Sequence, residues 1–114
     1  YSGSVEEQHV PYIRPQENGN KTDVRWASLT DREGNGLMIS GMGRQLFEIG
    51  VHNYTIDDLM NARHTYELVR REDITMTIDY LQSGLGGASC GPDTLPQYQV
   101  KPEPVYFSIR IKPL

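Results

Sequence analysis

The sequence predicts an all-β fold, an antiparallel β-sandwich with one short helix near residues 55–63. Two observations support this prediction. Apolar and polar residues alternate in several short segments, which is the period of a half-buried strand. Eleven glycines and seven prolines in 114 residues, with 37% hydrophobic residues, indicate many turns between short strands. A chain of this length is enough for one domain with a modest core, so residues 1–114 are treated as one domain.

An extended arm is expected at the N terminus, followed by a turn. Residues 1–16 show no clear period, and Pro11 and Pro15 favour extended backbone in the residues that precede them. Asn18-Gly19 is a pair that favours positive φ angles. The pattern therefore predicts a tight turn at this pair.

Three strands are predicted after the turn, with a polar hairpin loop over residues 31–36. The predicted strands cover residues 22–29, 37–42 and 46–51. In the first strand, Val24 and Trp26 share one face, and a tryptophan on an alternating strand is more often in the core.

A short helix is predicted next, followed by two further strands. Thr55 and Asp58 have the spacing of a capping box, and Arg63 would place a positive charge in the last turn. One face of the helix is predicted to carry Ile56, Leu59 and Met60. A brief strand or turn is expected over residues 66–69, a strong strand over 74–81, and a last strand over 105–111. The residues of the last strand that are predicted to face inward are Val105, Phe107, Ile109 and Ile111.

A glycine-rich loop is predicted directly after the strong strand. Four glycines in eight residues cannot belong to a strand or helix interior, where glycine costs too much backbone entropy. They are Gly84, Gly86, Gly87 and Gly91. The loop also carries the single cysteine, Cys90. Two interpretations stay open, a functional loop on a rigid sheet or a cluster of turns without chemistry.

Composition excludes several classes of partner and site. The net charge is −4 with acids and bases interspersed, so nucleic acid and anionic membrane surfaces are not expected partners. The apolar runs are too short for a membrane-spanning helix. One cysteine excludes an internal disulfide framework and a cysteine-rich zinc site, and it leaves the compartment open. The start at Tyr1, without a leader-like segment, suggests a piece of a longer polypeptide.

No catalytic or metal site follows from residue spacing. Glycoside hydrolysis requires two carboxylates on converging elements, and the sequence spacing of the acids nearest to turns does not indicate such a pair. These acids are Glu17, Asp31, Asp79 and Asp93. Cys90 has no nucleophile signature around it. The histidines lack metal-ligand spacing; they are His9, His52 and His64, the last expected to cap carbonyls at the helix end or to pack. The residues alone therefore lead to a β-rich binding or interface module.

Three ordered segments resemble the C-terminal domain of family 2 β-galactosidases. The first, residues 12–26, contains the Pro-x-Glu-Asn-Gly signature as Pro15, Glu17, Asn18 and Gly19, and it runs on through Arg25. The second, residues 47–64, has matching residues at Tyr54, Leu59, Met60 and His64. The third has Ile78-Asp79, followed by Gly84-Leu85-Gly86-Gly87 and Ser89.

The resemblance implies that the chain is the C-terminal part of the small-chain domain, or domain 5, of a large retaining glycosidase. That domain is a supersandwich similar in fold to galactose mutarotases. The catalytic glutamates, with Mg²⁺ and Na⁺ or K⁺, would lie in a TIM-barrel domain outside this chain, so no catalytic or metal-binding residue is expected here. The implied partners are that barrel, a β-galactoside substrate and other copies of a homo-oligomer. The implied compartment is the bacterial cytoplasm or periplasm.

The resemblance also assigns roles to individual residues. Where known members have Ser-Trp, with the Trp at the mouth of the active site, this chain has Ser89-Cys90, followed by Gly91. These three residues are the expected substrate contacts, on the side of the leaving sugar. Structural roles are implied for Pro15, Glu17, Asn18, Gly19, Arg25, Asp79, Gly84, Gly86 and Gly87. The alternatives are a carbohydrate-binding sandwich with its own sugar site and, more remotely, a stand-alone aldose epimerase.

Overall fold

The computed structural model describes residues 2–12, 18–83, 88 and 90–114, and these residues form two small sheets. The strands are β1 (Lys21–Val24), β2 (Trp26–Thr30), β3 (Gly36–Gly41), β4 (Phe47–His52), β5 (Thr75–Asp79) and β6 (Ile109–Pro113). The sheets have the strand orders β1-β4-β5 and β2-β3-β6 and are antiparallel. This arrangement confirms the predicted all-β class. No helix among the described residues is long and apolar enough to cross a membrane.

The chain divides into two compact units, and each unit is built from two segments that are separated in sequence. The first unit comprises residues 1–21 and 49–78. The second unit comprises residues 22–48 and 79–114.

The predicted strand over residues 22–29 is two strands that belong to different sheets. β1 ends at Val24 and β2 begins at Trp26, with Arg25 between them. Asp23 has a φ of 55°, in the left-handed region that an aspartate tolerates better than most residues. Because a left-handed residue interrupts the pleat, the alternation does not continue through Arg25. The carbonyl of Arg25 instead accepts a hydrogen bond from the backbone N–H of Gly41, at 3.1 Å.

The expected core position of Trp26 is wrong, since 61% of its surface is exposed. Along β2 the half-buried residues are Ala27 and Leu29, which are the alternate positions. Side chains on a strand change face with every residue, so the break at Arg25 separates the face of Trp26 from that of Val24. Ala27 pairs with Ile39 of β3, which is completely buried.

The polar hairpin loop between β2 and β3 is confirmed. The antiparallel register ends at the pair Thr30 and Gly36. Asp31 Oδ1 accepts hydrogen bonds from the backbone N–H groups of Glu33 and Asn35, each at 2.9 Å, and Gly34 takes a φ of 91°. The hydrogen bonds, above all the one from the Asn35 side chain, lower the pKa of Asp31. Its carboxylate therefore has a structural role in this turn.

Helix α1 (Ile56–Asn61) in the first unit is capped as predicted but is shorter. Thr55 Oγ1 accepts from the backbone N–H of Asp58 at 3.1 Å, and Asp58 Oδ2 accepts from the N–H of Thr55 at 2.8 Å. The backbone is extended at Ala62, so Arg63 lies outside the helix and the predicted basic last turn is wrong. Of the predicted apolar face, Leu59 is buried, whereas Ile56 and Met60 are each 57% exposed.

The elements after the helix are shorter than predicted. The brief strand or turn expected over residues 66–69 overlaps a 3₁₀ helix, Thr65–Glu67. A second 3₁₀ helix spans Pro96–Tyr98. All five residues of β5 are half-buried, so this strand is only partly enclosed. β6 begins four residues later than expected, at Ile109 rather than at 105.

Two of the inward positions predicted for the last strand are half-exposed. They are Val105 and Ile111, each with 52% of its surface accessible. Val105 precedes β6, and Ile111 lies within it opposite Ile39. Backbone pairing in this region starts at Ser108, whose carbonyl accepts from the N–H of Met42 at 3.1 Å.

Candidate functional site

Asn18, from the first family-like segment, organises the N-terminal arm. Its side chain is buried, with 8% of the residue exposed. Oδ1 accepts from the backbone N–H of Val10 at 3.1 Å, and Nδ2 donates to the carbonyls of Val10 and Tyr12 at 2.5 and 3.3 Å. Gly19 takes a φ of 64°, which a glycine adopts without strain. Pro15 and Glu17, from the same segment, lie outside the described residues.

Three aromatic rings from distant parts of the sequence meet in the first unit. His9 lies 5.1 Å from Tyr54 and 6.0 Å from His52, measured between ring centroids. Nδ1 of His9 is buried and has no hydrogen-bond partner among the described residues, and burial lowers the pKa of His9. Within the part of the chain that the structure describes, no group of three or more histidine, cysteine or acidic side chains could hold a metal ion.

A cleft of about 680 Å³ in the first unit has three acidic residues in its lining, Asp57, Asp58 and Glu67, and two of them, Asp58 and Glu67, have structural roles. Arg71 holds Asp58 with two bonds, from Nε to Oδ2 at 2.5 Å and from Nη2 to Oδ1 at 2.7 Å. This guanidinium, together with the N–H of Thr55, holds the pKa of Asp58 well below its usual range, and the pKa of Arg71 is raised in return. Such a carboxylate is unsuited to proton transfer near neutral pH.

The other acids that line turns have similar structural partners. In the same cleft, Glu67 accepts from the N–H of Arg63 at 2.7 Å and contacts His64 Nδ1 at 3.2 Å. His64 also stacks on Tyr66, with ring centroids 5.0 Å apart, as the packing alternative predicted. In the second unit, Asp79 accepts from Gln82 Nε2 at 3.0 Å, and Asp93 accepts from the N–H of Thr94 at 2.7 Å.

The predicted substrate contacts are described in part. Cys90 is an exposed free thiol, and a Cβ placed on Gly91 would meet no atom within 4 Å. Ala88 takes a φ of 54°, so the backbone turns sharply just before Cys90. Five further residues of this loop lie outside the described part of the chain; they are Gly84, Leu85, Gly86, Gly87 and Ser89.

Both ends of this loop are hydrogen-bonded to one short stretch of chain in the second unit. The backbone N–H of Val100 donates to Ser83 Oγ at 2.9 Å. Nε2 of Gln99 donates to the carbonyl of Thr94 at 2.8 Å. The sequence analysis missed Ser83 and Gln99, because no local pattern links either residue to its partner.

The fold and these contacts define an all-β chain whose motif residues mainly hold turns, caps and loop ends. The chain belongs to the β-galactosidase small-chain family, since the sequence model of the "Beta galactosidase small chain" family matches residues 1–111. The resemblance to β-galactosidase small chains is therefore confirmed.

Individual relatives show the same relationship. A β-galactosidase of Priestia megaterium is 39% identical over 116 residues, which cover 100% of this chain and 11% of that protein. A β-galactosidase of Arthrobacter sp. is 34% identical over 98% of this chain and 11% of its own length. The β-galactosidase BgaC of Bifidobacterium adolescentis is 30% identical over 98% and 11%, respectively. The chain thus spans about 11% of the length of these relatives and corresponds to part of a longer polypeptide.

Proposed function

We propose that this chain is the non-catalytic C-terminal part of domain 5 in a family 2 β-galactosidase, a retaining enzyme that hydrolyses terminal β-galactosides. The observation that carries the proposal is the family match over residues 1–111 of a chain that equals only 11% of its relatives. The described acids near turns serve caps and turns, which supports a catalytic pair elsewhere. We place that pair, with Mg²⁺ and Na⁺ or K⁺, in a TIM-barrel domain of the same polypeptide.

The first role proposed for the chain is to buttress the rest of the enzyme. In the second unit, one face of the β2-β3-β6 sheet is apolar; along the paired strands it includes Ala27, Leu29, Leu37, Ile39, Ile109 and Ile111. Ile39 is buried, but Leu37 is 40% exposed and Ile111 is 52% exposed. An apolar face that is partly open to solvent supports contact with another part of the polypeptide. The full-length enzyme is proposed to assemble as a homo-oligomer.

The second role is to shape the side of the active site that receives the leaving group. Cys90 and Gly91 are exposed on the loop where the family resemblance places substrate contacts, next to Ser89. Cysteine has too little surface to stack on a sugar ring. This enzyme is therefore expected to hold its leaving sugar loosely or through another aromatic residue.

Because the proposal places the catalytic pair outside this chain, it predicts that the chain has no activity of its own. The purified chain, assayed with a chromogenic β-galactoside at high protein concentration, should show no turnover. Turnover that follows the chain through purification and disappears in Glu17→Gln would overturn the proposal.

Cys90→Trp in the full-length enzyme tests the role of the loop. The added ring should change KM for β-galactosyl disaccharides and the preference among acceptors. Hydrolysis of an activated aryl galactoside should change less, because its leaving group needs little binding. Cys90→Ser is the matched control, since serine adds no stacking surface. If Cys90→Trp and Cys90→Ser behave alike with every leaving group, the loop is structural.

Exposed Trp26 is the observation that favours the alternative, a carbohydrate-binding module with its own sugar site. An exposed aromatic ring on a strand can stack on a sugar. Calorimetric titration of the chain with galactose and lactose tests this directly. Binding that Trp26→Ala abolishes would favour the alternative, and absence of binding would favour the first proposal.

A further inference from the structure

The dipeptide Gln99-Val100 holds both ends of the loop that contains Cys90. At the entry, the Val100 N–H donates to Ser83 Oγ at 2.9 Å. At the exit, Gln99 Nε2 donates to the carbonyl of Thr94 at 2.8 Å. Residues that are separated by the whole loop are therefore fixed to adjacent positions of one backbone segment.

The dipeptide and the loop entry are themselves anchored. Gln99 follows the 3₁₀ helix Pro96–Tyr98, and its N–H donates to the carbonyl of Pro96 at 3.4 Å. Proline at the start of that helix fixes its φ in advance. At the loop entry, Gln82 Nε2 donates to Asp79 Oδ2 at 3.0 Å, which ties the chain to the last residue of β5.

Fixing the two ends of a loop limits the positions that its interior residues can take. A misplacement of about 1 Å near an active site can lower activity by roughly 10²-fold. We propose that Ser83 and Gln99 are positioning residues for the leaving-group side of the active site, acting through the placement of Cys90. This inference rests on the proposed function, because it assumes that the loop faces the leaving sugar.

The chemistry of each bond defines the variants that test it. Gln99 must donate, so Gln99→Glu keeps the size of the side chain but sets a carboxylate against the Thr94 carbonyl. Ser83 must accept, so Ser83→Ala removes the bond and Ser83→Thr retains a hydroxyl. Gln97→Glu is the matched control, because it makes the same amide-to-acid change at an exposed neighbouring position.

The first measurement, in the full-length enzyme, is the alkylation rate of Cys90, followed on its peptide by mass spectrometry. Ser83→Ala and Gln99→Glu should change this rate about fivefold, the factor for one hydrogen bond of ordinary net strength. Ser83→Thr should restore the wild-type rate, and Gln97→Glu should retain it.

The second measurement compares kcat/KM for a β-galactosyl disaccharide with kcat/KM for an activated aryl galactoside. The ratio should fall in Ser83→Ala and Gln99→Glu, mainly through KM for the disaccharide. Unchanged alkylation in both variants would overturn the inference and leave the proposed function to its own test with Cys90→Trp. Changed alkylation with an unchanged ratio would overturn the role of the loop at the leaving-group side, and the inference with it.

Discussion

The side-chain amide of Asn18 forms a reciprocal pair of hydrogen bonds with the backbone of Val10, as a neighbouring strand would. The same amide also donates to the carbonyl of Tyr12. One buried side chain therefore fixes the arm that carries His9 against Tyr54, with ring centroids 5.1 Å apart. The hydrogen bonds of Asn18 to the arm give a structural role to the Asn of the Pro-x-Glu-Asn-Gly signature.

Replacing Asn18 with aspartate should loosen the arm. The carboxylate could still accept from the Val10 N–H, but it would face the carbonyls of Val10 and Tyr12 without a proton to donate. Leaving buried polar groups unsatisfied costs about 1–3 kcal/mol each. Amide hydrogen exchange at Val10 should accelerate accordingly. Asn18→Ala, which lacks the repulsion, should show a smaller effect, and wild-type exchange in both variants would contradict the assigned role.

The Asp58–Arg71 pair should make the first unit less stable as the pH falls into the acid range. The pKa of Asp58 is lower in the folded state than its ordinary value of 3.8. The contribution of the pair is therefore fully present above about pH 4 and is lost as the pH falls below that value. Asp58→Asn should lower protection of the Leu59 amide at pH 7 and reduce its loss on acidification. The neighbouring Asp57→Asn is the matched control, and an equal effect there would contradict the prediction.

Burial of His9 should give a second pH dependence, at higher pH. Because its pKa is lowered in the folded state, the unfolded arm takes up the proton first as the pH falls through about 6.5. The arm should therefore lose stability below that pH. The neighbouring rings that face His9 belong to His52 and Tyr54. The protection factor of the Val10 amide, which removes the intrinsic pH dependence of exchange, should fall between about pH 7 and 5.5 in the wild type, and His9→Gln should remove this fall. An identical fall in His9→Gln would assign it to another group.

Gly41 should not tolerate a side chain, whereas Gly91 should. A Cβ on Gly41 would overlap the backbone carbonyl of Gln45, but a Cβ on Gly91 would meet nothing within 4 Å. Overpacking of this kind costs about 1–3 kcal/mol. Denaturant unfolding should therefore show a clear loss of stability for Gly41→Ala and a change below about 0.5 kcal/mol for Gly91→Ala. Equal stability of the two variants would show that the backbone at Gln45 shifts freely.

The features that could be predicted from the sequence are those set by neighbouring residues. The capping box joins Thr55 and Asp58, three positions apart, and the hairpin loop depends on Asp31 and Gly34. The residue types at these positions are therefore enough to predict both features. The face of Trp26 could not be predicted in the same way. The left-handed backbone at Asp23 divides the strand, and a shift of one residue exchanges the two faces.

Contacts between distant segments could not be predicted from the sequence pattern. Neither Ser83 nor Gln99 carries a local signal for its partner, and His9 meets Tyr54 only after the arm has folded. The substrate role of Ser89, Cys90 and Gly91 stays a prediction from the family resemblance, to be tested with Cys90→Trp.

The interleaving of the two units determines when each can form during synthesis on the ribosome. The first unit needs residues up to 78, although its first segment ends at 21. In the second unit, β3 gains its outer neighbour only when Ile109–Pro113 has emerged. Until then β3 presents an open edge, the kind of surface through which nascent chains associate wrongly. A ribosome that stalls before residue 109 would therefore leave a chain with this edge exposed.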